Sequence, residues 1–160
     1  MRLTFWTALV IFGADQVSKY WILNVLDLDR VLAVDVLPPY LNFRMAWNQG
    51  INFGLFGDFD LRWILVGVAL AVTAFVIWWV RREGGTVWTH MSAGLLIGGA
   101  LGNVIDRVLY GAVADFLNMS CCGIENPYAF NIADIAVFVG AVGLVLFTGG
   151  GDHSKAKKGA

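Results

Sequence analysis

Charge is what this sequence has least of. Only 14% of its 160 residues are Asp, Glu, Lys or Arg, against roughly 25% in an ordinary soluble domain. Hydrophobic residues make up 58%, and the mean hydropathy is +0.68. These figures exclude a soluble globule and point to an integral membrane protein of one domain, residues 1–160. The net charge is −1, so no basic surface for nucleic acid is on offer. Cysteine is also scarce. Cys121 and Cys122 are the pair, and adjacent cysteines fit no zinc or haem spacing. They read as two small residues of a loop. No glycine-rich phosphate loop and no HExxH metal motif occurs.

What is present is a set of long apolar runs. Crossing a hydrocarbon core takes about 20 such residues. Four segments are predicted to span, at about 3–26, 61–80, 87–108 and 132–150. The first could pass for a secretory leader, but no A-x-A-like site follows it and the apolar sequence continues, so it is expected to be retained. Residues 151–160 read as a disordered tail. Arg2, Arg81, Arg82, Lys155, Lys157 and Lys158 fall on one side of a four-span chain. The other side is acidic: Asp27, Asp29, Asp35, Asp58 and Asp60 stand against Arg30 and Arg44, and residues 109–130 contain no Lys or Arg. Both termini are therefore expected in the cytoplasm.

Two further patterns stand out. "YLNFRMAWN" alternates Leu41, Phe43, Met45 and Trp47 with Asn42, Arg44, Ala46 and Asn48, the period of a strand with one apolar face. "RVLAVDVL" is a weaker strand beside it. A small sheet on the outer membrane surface is expected, with its apolar face toward lipid or a lipid-like ligand. A hairpin packed on the helix ends fits the pattern equally well. In the third span, Gly94, Gly98 and Gly102 recur every four residues and let another helix approach. His90 near the start of that span reads as interfacial, with no second His or Cys near it.

The costly residues are the informative ones. Polar groups inside spans are functional candidates by default. Asp15 and Lys19 are four apart in the first span and can pair. Asn103, Asp106 and Arg107 share a face of the third. Asp115 follows near its end, and Asn131 and Asp134 open the fourth. The third span runs outward and the fourth starts there, so Asp115 and Asp134 lie at one membrane face. Two carboxylates in a partly dry site share a proton, because like charge raises one pKa. The helix dipole favours Asp134 as the anion, leaving the proton on Asp115. One acid then activates water and the other polarises a carbonyl, the aspartic-protease arrangement. Either residue alone could be a cap or a solvated loop acid. A proton-coupled transporter would instead carry its acids near the midplane with an internal repeat. A non-catalytic lipid-binding chaperone would tolerate loss of either acid.

The motifs "DQVSKYW", "NQGINFG", "GGALGNVIDRVLYGAVADF" and "FNIADIAV" together resemble those of the lipoprotein signal peptidase (signal peptidase II) family. The resemblance covers nearly the whole chain. It implies an all-α membrane protein of four spans with an extracytoplasmic β-sheet cradle in the bacterial inner membrane. It implies Asp115 and Asp134 as the catalytic dyad of an aspartic endopeptidase. Asp15, Lys19, Asn48, Gly50, Gly99, Asn103, Asp106, Arg107 and Asn131 match the positions that hold substrate or brace the site. The implied substrate is a prolipoprotein carrying diacylglyceryl-cysteine, cut just before that cysteine. The family needs no cofactor or metal and is inhibited by globomycin. Asn52 departs from the small residue that the family often has there.

Overall fold

The computed structural model describes residues 1–50 and 61–148. The expectations for Asn52, for most of the motif beginning at Asn48 and for the tail lie outside the described residues. The chain is mostly helical: α1 (Arg2–Tyr20) continues through a π turn (Trp21–Val25) into the short α2 (Leu28–Val31). Strands β1 (Ala33–Leu37) and β2 (Leu41–Asn48) follow. Helices α3 (Leu61–Glu83) and α4 (Val87–Tyr110) precede β3 (Val113–Asn118) and α5 (Ile132–Thr148). By length and composition α3 and α4 can each cross a membrane, and α5 is a shorter apolar helix.

Helix α4 is the centre of the bundle, and glycine puts it there. A Cβ on Gly98 would sit 2.5 Å from the Ala8 carbonyl oxygen of α1, and one on Gly94 would sit 2.8 Å from that of Thr4. On another side of α4, Gly99 lies against the Ala133 carbonyl of α5, and Gly140 of α5 faces the backbone of Leu96. The glycine stripe is thus a helix-packing device, as its spacing suggests. Introducing Leu at position 98 should push α1 off α4 and lower stability by about 2–3 kcal/mol. Thermal unfolding in detergent checks this, and unchanged unfolding would contradict the packing described.

Helices α1 and α4 run parallel. Near their starts Thr4 Oγ1 bonds His90 Nδ1 at 2.9 Å, so His90 serves packing between helices. Val76 and Val80 of α3 pack on Ala93, Leu96 and Ile97 of α4 at that same end, which also carries Arg81 and Arg82. Most of α3 remains exposed, with Trp63, Val68 and Phe75 each more than half exposed. A large apolar surface of this kind suits lipid rather than water.

The sheet sits at the opposite end, in the order β1-β2-β3, both pairs antiparallel. The two sequence-predicted strands are present. Their apolar face is only partly open: Phe43 and Met45 pack on Ile22, Leu28 and Phe116, while Trp47 and Leu37 remain exposed. Alternation identifies an apolar face but not what covers it, and here the π turn and α2 do. β3 is a strand the sequence reading does not contain. Five of its six residues are buried, so it lacks the polar–apolar alternation that marks a half-exposed strand. Cys121 and Cys122, read as two small loop residues with a vicinal disulfide as the less favoured alternative, form that disulfide.

Gly111 ends α4 with φ +82°, its N–H bonded to the Arg107 carbonyl. A left-handed cap of this kind favours glycine. It releases the chain into β3 and so delivers Asp115 next to the last turn of α4.

Candidate active site

The site is built from five elements: α1, the end of β2, α4, β3 and the start of α5. Its base is a buried triad. Lys19 is 3% exposed, and Asp15 and Asp106 are 0% and 1% exposed. Lys19 Nζ lies 2.8 Å from Asp15 Oδ2 and 2.7 Å from Asp106 Oδ2. Its third contact is Asn103 Oδ1 at 3.3 Å. An ammonium has three protons, and each finds an acceptor.

The carboxylates of the triad are in turn anchored to backbone. Asp15 Oδ1 accepts from the Ala133 N–H at 3.0 Å, and Asp106 Oδ2 accepts from the Ala114 N–H at 3.2 Å. Each of those amides belongs to a residue immediately before one of the two aspartates of interest. The triad therefore fixes the backbone at positions 114 and 133, and through it the positions of Asp115 and Asp134. Gln16, which the sequence reading passed over, closes this layer by donating to Asp15 Oδ2, Asp106 Oδ1 and the Gly102 carbonyl. Its signal was a polar side chain within an apolar span, beside Asp15.

Above the triad lie Asp115 and Asp134, joined through Asn131. The Asn131 side chain donates to Asp115 Oδ1 at 2.6 Å and accepts from the Asp134 N–H at 2.9 Å. Its own backbone N–H donates to Asp134 Oδ2 at 3.2 Å. Asn131 and Asp134 thus form a reciprocal capping pair at the start of α5. The capping role weighed for Asp134 holds, but it uses only one carboxylate oxygen. The other, Oδ1, accepts from Asn103 Nδ2 at 2.8 Å. Asn103 links the two layers, since its Oδ1 also accepts from Lys19 and from Asn131.

Asp115 is 3% exposed. Its Oδ2 accepts from Asn48 Nδ2 of β2 at 3.0 Å. Asn48 is held by the Gly50 N–H at 2.9 Å, and Gly50 itself has φ +94°, a conformation that favours glycine. Burial, and after it the nearby Asp134 charge, push the Asp115 carboxyl up to about 6, while the bonds from Asn48 and Asn131 pull the other way. Arg107 donates to the Asn103 carbonyl at 3.3 Å, the bracing contact expected of it. Its charge acts on Asp134, Asp115 and Asp106 from the side.

All the site residues expected from the sequence except Gly99 meet in this network. Gly99 lies at the α4–α5 contact. Two nearby carboxyls in a partly dry site, one held high and the other in the first turn of a helix, can hold a single proton between them.

A family model described as signal peptidase (SPase) II matches residues 7–148. A lipoprotein signal peptidase of Methylorubrum extorquens (strain PA1) is 41% identical over 141 residues, covering 86% of this chain and 80% of that protein. One of Rhodopseudomonas palustris is 41% identical over 151 residues, covering 91% and 90%. Among solved structures, a bacterial membrane enzyme determined by the in meso method at 2.3 Å resembles the chain with a TM-score of 0.79. That likeness comes at 26% identity and covers 100% of this chain and 94% of the other.

Proposed function

The chain belongs to the signal peptidase II family and removes signal peptides from prolipoproteins; from that premise we propose that it does so as an aspartic endopeptidase, with Asp115 and Asp134 as the catalytic pair. The observation that carries this reading is the single Asn131 side chain bonded to Asp115 and to the Asp134 N–H. The transporter and chaperone alternatives are not favoured.

The chemistry follows from the two environments. Asp134 is the ionised member, supported by the helix N-terminus and by Asn103. Asp115 is the protonated member, because it is buried beside that charge. A water between them gives a proton to Asp134 as its oxygen attacks the scissile carbonyl carbon. Asp115 donates its proton to the carbonyl oxygen. The tetrahedral diol then collapses: Asp134 passes its proton to the leaving nitrogen as the C–N bond breaks, and Asp115 recovers its own. No net proton is gained or lost. The bond cut is the one before the diacylglyceryl-modified cysteine, and a globomycin-type cyclic peptide inhibits the cleavage.

The placement in the membrane fits this chemistry. α1, α3, α4 and α5 cross the bacterial inner membrane, with both termini cytoplasmic. The sheet and the dyad then face the periplasm, where water is available and the substrate's acyl chains can stay in the bilayer. The arginines at the ends of α1 and α3 support that orientation.

The proton arrangement makes a pH prediction. Turnover needs Asp115 protonated, so kcat/KM should fall as pH rises through about 6, roughly tenfold per pH unit, with a limb that belongs to the coupled pair. Asn48 donates to the carboxylate and so favours the anion. Asn48→Ala should therefore move the limb to higher pH, by up to about one unit. A limb at the ordinary carboxylate range near 4, or none below about 9, would contradict the assignment of roles.

A further inference from the structure

We propose that the groove between α1 and α3, at the end of the bundle away from the acids, holds one anionic phospholipid. The cavity is about 580 Å3 and is lined by Trp6, Leu9 and Phe12 of α1 and Leu101 of α4, with Arg2 and Arg81 also on its wall. This groove takes no part in the chemistry described above.

Three observations select the occupant. The first is charge. Arg2 and Arg81 have no carboxylate partner among the described residues, whereas the neighbouring Arg82 pairs with Glu83 and lies over the Trp78 ring. Two free guanidinium groups at the end of an apolar groove attract a lipid phosphate. The second is depth. From Arg2 to Phe12 the α1 wall rises ten helical residues, about 15 Å, or half of a hydrocarbon core of roughly 30 Å. The groove therefore accommodates the chain of a lipid in one leaflet and is too short for a spanning peptide. The third is sign: a signal peptide enters with a positively charged n-region, which Arg2 and Arg81 repel. Trp6 is 59% exposed in this groove, its ring suited to the boundary between headgroup and chain. The orientation proposed above decides only which leaflet supplies the lipid, here the cytoplasmic one.

The test uses the full chain in detergent micelles doped with phospholipid bearing brominated acyl chains. Contact at the groove is read as the fluorescence quenching lost on Trp6→Phe. Brominated phosphatidylglycerol should quench Trp6 at a lower mole fraction than brominated phosphatidylcholine, on the order of tenfold for two arginines. Arg2→Gln/Arg81→Gln should erase the difference, and Arg2→Lys/Arg81→Lys should keep most of it. Equal quenching by the two lipids would overturn the proposal. So would a preference that survives the double Gln variant, displacement by inorganic phosphate, or displacement by a signal-peptide helix. Precursor processing by the same variants reports separately on the active site, so failure of one reading leaves the other standing.

Discussion

Replacing Lys19 by Met lowers stability by about 3–5 kcal/mol, the cost of removing one partner from a buried ionic group. The expectation rests on what remains behind. Asp15 and Asp106 are each almost fully buried and each within 2.8 Å of the lost ammonium. Without it two carboxylates face one another with no cation, and at least one must take up a proton or draw in water. The damage reaches the site, because the same carboxylates hold the backbone amides of Ala133 and Ala114. Lys19→Met should therefore also lose activity, through displacement of Asp115 and Asp134. Unfolding in detergent measures the first effect. Lys19→Met/Asp106→Asn serves as the control: removing one surplus negative charge along with the cation should recover part of the loss. A single variant as stable as the parent, or a double variant that recovers nothing, would show that the triad does not carry this weight.

The triad was the most legible part of the site in the sequence. Asp15 and Lys19 stand four apart in an apolar run, and helical geometry alone puts them together. Asp106 with Asn103 could be placed on one helical face by the same rule. Their meeting across two helices could not, since it depends on the close α1–α4 approach that glycine permits. The dyad was legible by a weaker route. Charge bias put both acids at one membrane face, and Asn131 was expected only to hold substrate or brace the site; its bridge between the two aspartates depends on how β3 meets the start of α5.

What escaped the reading has physical causes. β3 is buried along nearly all its length, so its pattern looks like the helix before it. Asp115 was expected near or past the end of the third span; it lies past that end, in a strand the reading did not contain, held against β2 opposite Ala46. Gln16 carries no charge and so drew no notice among costlier groups, although it bonds both acids of the triad. The apolar face of β2 was correctly identified, and its covering by Ile22, Leu28 and Phe116 depended on a π turn that no periodicity announces.

The central claim is that Asp115 and Asp134 work as one unit, and single-atom exchange in each tests it. Asp115→Asn keeps size and the capacity to accept from Asn48 or Asn131, but it has no carboxyl proton to give to the scissile carbonyl. Asp134→Asn retains an oxygen to cap α5, but no anion to take a proton from water. General acid and base contributions are each worth on the order of 100- to 10,000-fold, and members of a unit fail together rather than additively. The decisive measurement is the rate at which each purified variant cleaves a diacylglyceryl-modified precursor, with thermal unfolding recorded on the same sample. Both variants should unfold near the parental temperature and process the precursor on the order of a thousandfold more slowly or not at all. A folded variant of either residue that cleaves the precursor at close to the parental rate would contradict the account.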